Sequence, residues 1–125
     1  MTLRRTRHQK LSESIRIAAP PDQVWELITT VAGITDWYDA WDAVEHSAGE
    51  ERLQVGTSFR LIRRRNGRDD TALCRVTSMH PGRRLCWVQY APDRPAMSVE
   101  FQLAAETDAG TLLSHTRSWL EPGDR

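Results

Sequence analysis

Four polar side chains fall in phase with apolar ones on strand-like segments: Arg63, Gln89, His115 and Arg117. Arg63 follows Phe59 and Leu61, Gln89 follows Leu85 and Trp87, and His115 and Arg117 follow Leu113, always at a spacing of two. Residues two apart share one face of a strand, so each polar group lies on an apolar face. A strongly polar or ionised group does not sit among apolar neighbours without a partner. These four therefore either stand in water at the mouth of a cavity or hold the polar part of a ligand. The arginines suit a carboxylate, phenolate or enolate oxygen, which matches their fork of N–H donors. His115 suits proton transfer, because imidazole titrates near neutral pH. The structural alternative is that both arginines reach the rim and His115 is a satisfied, partly buried histidine.

The elements that position these groups follow from periodicity and punctuation. Leu11 to Ala18 alternates, with Leu11, Glu13, Ile15 and Ile17 on one face, and predicts a strand with one wet side. Pro20-Pro21 stops the strand and suits a helix start, and Asp22 favours the helix dipole. Val24, Leu27, Ile28 and Val31 predict the buried stripe of that helix, with Gly33 as its cap. Ile34 to Tyr38 predicts a short second helix or turn. Trp37, Tyr38 and Trp41 cluster after it, where they would either pack on a sheet or stack on a planar ligand.

From Val44 onward turn signals recur about every ten residues, with strands between them. Asn66-Gly67 is the strongest hairpin signal, since both central positions of a type I′ turn need positive φ. Further strands are predicted over Asp42 to Ser47, Gly56 to Arg64, Thr71 to Met79, Arg84 to Ala91, Met97 to Ala105 and Thr111 to Trp119. Their apolar faces place Ala72, Cys74 and Val76, then Val99, Phe101 and Leu103, toward the helix. A strand, two helices and a long antiparallel meander describe a sheet curled around a helix, with a cavity between them.

The 125 residues suit one domain with one core. Lys plus Arg and Asp plus Glu are 17 each, so no net field draws the chain to nucleic acid or an acidic membrane. Five tryptophans raise the burial available to a chain only 39% hydrophobic. No apolar run reaches the roughly 20 residues of a membrane helix, and Met1 to Lys10 reads as a flexible basic tail rather than a secretory signal. Cys74 and Cys86 flank the turn at His80-Pro81-Gly82, where Cys74 would oppose a residue near Gln89 and Cys86 one near Thr77. They do not face each other, so free thiols in a cytoplasmic setting are expected. The four histidines fall on separate elements without ligand spacing, and no metal or cofactor is expected. The Arg63-Arg64-Arg65 run and Arg68 bracket the Asn66-Gly67 turn and read as a solvated hairpin tip.

Ala19-Pro20-Pro21-Asp22-Gln23-Val24-Trp25-Glu26-Leu27, Trp37, Val55-Gly56, Val76, His80-Pro81-Gly82, Leu85 with Trp87, and Gly110-Thr111 occur in an order that resembles the START-like superfamily. That superfamily includes polyketide cyclase/dehydrase and lipid-transport proteins and shares the helix-grip fold of the major birch pollen allergen. The resemblance covers residues 11 to 120 and implies an α+β fold, with a curved antiparallel sheet and helices inserted after the first strand. It implies a hydrophobic small-molecule ligand, bound by Trp37, Tyr38, Trp41, Phe59, Leu61, Arg63, Cys74, Val76, Trp87, Gln89, Phe101, Leu113 and Arg117. His115 would be the proton shuttle of an aldol-type ring closure. A poly-β-ketone cyclase or dehydratase, a carrier of a hydrophobic metabolite, lipid or quinone, and a protein-interaction module all fit such a cavity. The long C-terminal helix of the superfamily has no counterpart before Arg125. That departure predicts exposure of Phe59, Leu61, Trp87 and Phe101, and hence a homodimer or a ligand covering them.

Overall fold

In the computed structural model, residues 6–38 and 40–122 are described. Strand β1 (Thr6–Ile17) leads into helix α1 (Pro21–Thr29), a 3-10 turn (Val31–Gly33) and helix α2 (Ile34–Trp37). Six strands follow: β2 (Ala43–His46), β3 (Ser58–Arg65), β4 (Arg68–His80), β5 (Arg84–Tyr90), β6 (Met97–Ala105) and β7 (Thr111–Pro122). All seven form one antiparallel sheet in the order β1-β7-β6-β5-β4-β3-β2. The α+β helix-grip architecture inferred from the sequence is therefore the architecture of the chain.

Local chemistry explains most of the boundaries. Pro21 occupies the first turn of α1, where its missing N–H costs nothing. Asn66 and Gly67 have φ of 48° and 75° and join β3 to β4 by a two-residue turn, so the strands pair right up to Arg65 and Arg68. A bulge between Val76 and Ser78 shifts the β4–β5 register by one. Cys74 thus opposes Gln89, Cys86 opposes Ser78, and both thiols are free.

Four expectations need correction. Residues 6–10 are not tail but the start of β1, because β7 continues to Pro122 and offers Thr6 to Lys10 a full set of partners. The rest of the predicted tail, residues 1–5, lies outside the described residues. Gly33 does not cap α1. That helix ends at Thr30 (φ −89°, ψ 115°), after Thr29 and Thr30 donate their hydroxyls back to the Trp25 and Glu26 carbonyls at 2.7 Å. Leu27 is not in the buried stripe. It is exposed, and Trp25 joins Val24, Ile28 and Val31 in the core instead.

The fourth correction bears on the site. Phe59, Leu61, Trp87 and Phe101 are not laid open: none exceeds 2% exposure. Ile28 and Val24 of α1 share one core cluster with them. Trp37 and Tyr38 complete the cover, with ring centroids 5.1 Å and 5.9 Å from Phe101. The apolar surface that does remain open on the concave side lies on β1, where Leu11 and Ile15 are 50% and 58% exposed. Among the described residues no helix follows β7, and none is long and apolar enough to cross a membrane.

Candidate functional site

A cavity of about 800 Å³ opens between the α2 segment and the concave faces of β5, β6, β7 and β1. Its aromatic floor is built from elements far apart in sequence. Phe101 on β6 and His115 on β7 are cross-strand partners, and their rings stack with centroids 4.7 Å apart and 7° between planes. Tyr38 meets His115 edge-on at 5.3 Å and Trp87 at 6.0 Å. Trp37 stacks on Tyr38 at 5.6 Å. Aromatic pairs in these offset and T-shaped arrangements add roughly 0.5–1.5 kcal/mol each beyond area burial.

Polar groups are set into this apolar frame in two ways. Some are committed to the protein. The Gln89 carbonyl accepts from Trp87 Nε1 at 3.2 Å and from Cys74 Sγ at 3.7 Å, which satisfies the oxygen of a side chain only 5% exposed. Arg63 approaches Asp70 at 3.6 Å and lies 5.4 Å over the Trp41 ring. Arg117 reaches Glu13 at 3.5 Å, and Trp119 Nε1 donates to Glu121 at 2.9 Å. Others have no protein partner: Trp37 Nε1, Arg63 Nε and His115 Nε2 are buried and unbonded, and all three residues line the cavity. Buried polar atoms are nearly always bonded, so three orphans in residues of one cavity wall are unusual.

The electrostatics follow from burial. Burial pushes the His115 pKa below the ordinary histidine range, the Arg117 guanidinium pushes it the same way, and Glu13 opposes them. His115 is therefore a neutral base at neutral pH. Burial raises the Tyr38 phenol to about 12, against the pull of Arg117, so Tyr38 stays protonated. Burial alone drives the Cys74 thiol far above its ordinary range and leaves it unreactive.

Of the residues read from the sequence, Trp37, Tyr38, Trp41 and Arg63 line the cavity on one side, and Gln89, Phe101, Leu113, His115 and Arg117 on the other. Phe59, Leu61, Cys74, Val76 and Trp87 do not line it and belong to the sealed core beneath. The wall also contains Glu13, Ile15, Met97 and Trp119, which the sequence reading did not propose as site residues. Alternation already placed Glu13 and Ile15 on one face of β1, and Trp119 in phase with His115 and Arg117. Their membership turns on the pairing of β1 with β7, which sets Glu13 opposite His115 and Ile15 opposite Leu113. Arg94 and Pro95 come from a loop whose path no periodicity encodes. Among the described residues no group of three or more His, Cys, Asp or Glu converges as a metal site would require.

The family model described as polyketide cyclase / dehydrase and lipid transport matches residues 8–123. The chain belongs to that family. Solved structures place this polyketide cyclase/dehydrase family member among helix-grip folds. The Zhui aromatase/cyclase from Streptomyces sp. R1128 is similar, with TM-score 0.75 and 24% identity over 95% of this chain and 71% of its own. Major latex-like protein 151 from Panax ginseng has TM-score 0.74 and 13% identity over 94% of this chain and 81% of its own. A protein of unknown function from Staphylococcus aureus has TM-score 0.75 and 15% identity, over 96% and 74%. These identities establish the shared fold of the family member and leave its chemistry to its own residues. No curated protein matches the chain.

Proposed function

We propose that the chain binds a hydrophobic, oxygen-bearing small molecule in this cavity and moves a proton on it at His115, in a cyclisation or dehydration. The observation that carries this reading is the set of orphaned polar atoms, Trp37 Nε1, Arg63 Nε and His115 Nε2, around an aromatic cavity. A carbonyl oxygen accepting from the two donors becomes more electron-poor, and the carbon beside it more acidic. His115 is neutral and stacked on Phe101, so its ring is fixed, and its Nε2 has no protein partner to compete for that proton. The same imidazole, once protonated, returns the proton to a departing hydroxyl. The aromatic walls hold the chain of the ligand folded and keep water from the enolate. The aromatase/cyclase neighbour makes that class of ligand the natural first choice. The free Cys74 and Cys86 support a reducing, cytoplasmic setting. Self-association, where it occurs, is proposed along β1, through the half-exposed Leu11 and Ile15.

The test pairs binding with turnover. The protein and its His115→Gln variant are incubated with a short poly-β-ketone thioester mimic, with binding followed by native mass spectrometry and products by liquid chromatography. The expected result is that both bind and only the unsubstituted protein closes the ring. Binding without turnover in either identifies a carrier. Absence of binding in both overturns the cavity reading.

A further inference from the structure

Two of the three arginines around the cavity are held by carboxylates of the protein. Among the described residues, three arginines border it: Arg63, Arg94 and Arg117. Glu13 and Glu121 border it too, and Asp70, held against Arg63, supplies a third carboxylate. Two of these groupings are ion pairs. Arg117 Nη2 lies 3.5 Å from Glu13 Oε1, and Arg63 Nη2 lies 3.6 Å from Asp70 Oδ2. Both guanidiniums are partly buried, at 33% and 23% side-chain exposure, whereas their carboxylates are more exposed. His115 adds no cation at neutral pH.

Arg94 has no ion pair among the described residues, but it is exposed on the loop between β5 and β6, so on the strands themselves a ligand meets single N–H donors and paired arginines rather than a free positive charge. Trp37 Nε1 is a neutral donor, and Arg63 Nε is one N–H of a guanidinium whose Nη2 already faces Asp70. An anionic ligand would have to be desolvated here and to compete with a carboxylate for its arginine. A ketone or phenol loses far less hydration and finds donors already unpaired.

We infer that this cavity selects neutral, oxygen- or nitrogen-bearing aromatic ligands over anionic ones of the same shape, and that Glu13, by holding Arg117, is the residue that sets this selectivity. The inference rests on the small-molecule reading above and narrows it. Glu13 is well placed for the role. It stands opposite His115 across the β1–β7 pair, at the open side of the cavity, so a ligand entering over β1 meets it early.

A matched pair of dyes tests it. N-phenylnaphthylamine and anilinonaphthalenesulfonate share one aromatic skeleton and differ by the sulfonate. Fluorescence titration of the full chain should show the neutral dye binding more tightly. Glu13→Gln should strengthen sulfonate binding by about fivefold, the scale of a partly exposed ion pair. Asp70→Asn, which releases Arg63 instead, should act in the same direction and, since Asp70 does not line the cavity, leave the neutral dye within about twofold. Equal or tighter sulfonate binding by the unsubstituted protein, or sulfonate affinity unmoved by both variants, overturns the inference while leaving the cavity reading intact. Failure of both dyes to bind overturns the cavity reading and the inference together.

Discussion

His115 lies flat against Phe101, with ring centroids 4.7 Å apart and 7° between the planes, because the two are direct partners across β6 and β7. The stack removes one face of the imidazole from water. It leaves Nε2 buried and unbonded and lowers the tendency of the ring to take a proton.

That relationship fixes a pH dependence. The folded chain binds fewer protons at His115 than the unfolded chain does, wherever pH lies between the lowered value and the ordinary one near 6.5. Stability therefore rises with pH across that window. The contribution of neutral His115 is complete above it and is lost as pH falls through it. NMR titration of the imidazole should give a midpoint below the ordinary histidine range. Thermal melts from neutral to mildly acidic pH should show a fall that His115→Phe reduces. A normal or raised midpoint would contradict the burial argument.

Trp87 is the centre of the sealed core. It is 0% exposed and meets Phe59 and Phe101 at 5.1 Å and Tyr38 at 6.0 Å. Trp87→Ala should cost about 3–5 kcal/mol, because the surrounding rings cannot collapse into the space left. Urea unfolding monitored by circular dichroism measures it, and a loss under about 1 kcal/mol would mean that the core is looser than these contacts describe.

The two thiols should differ in reactivity. Cys74 is 0% exposed, and burial drives its pKa far up, whereas Cys86 is half-buried on the opposite face, with its pKa raised less completely and Arg84 pulling it back. Native protein treated with iodoacetamide should be alkylated at Cys86 first, and at Cys74 only after denaturant is added. Peptide mapping that finds Cys74 modified first would refute this.

Two glycines should fail for different reasons. Gly67 has φ of 75° in the β3–β4 turn with open space around it, so Gly67→Ala should cost about 1 kcal/mol in backbone strain alone. At Gly110 a Cβ would stand 2.8 Å from the Ile17 carbonyl oxygen, a backbone atom that cannot swing aside. Gly110→Ala should cost about 1–3 kcal/mol by separating the end of β1 from the start of β7. Comparison of the two melting temperatures checks the order.

Much of the fold is legible because its rules are local. The pleat of a strand has period two, so Phe59, Leu61 and Arg63, or Leu113, His115 and Arg117, declare a shared face without reference to any neighbour. Asn66-Gly67 declares its turn through the positive φ that both positions adopt. The helix stripe is less legible. Leu27 obeys helical spacing and is nonetheless exposed, because the sheet lies against the Val24–Trp25–Ile28 side.

The sequence alone thus determined the order of elements, the inward faces of the strands and a polar set containing His115, Arg63 and Arg117. Which inward residues are sealed and which line a cavity was decided only in three dimensions. Phe59, Leu61 and Trp87 share their face with Gln89, His115 and Arg117, yet the first group is sealed in the core and the second lines the cavity. The pairing of Glu13 with Arg117 likewise joins β1 to a strand 104 residues away. A local pattern records which way a side chain points, and only the packing of distant segments records what it meets there.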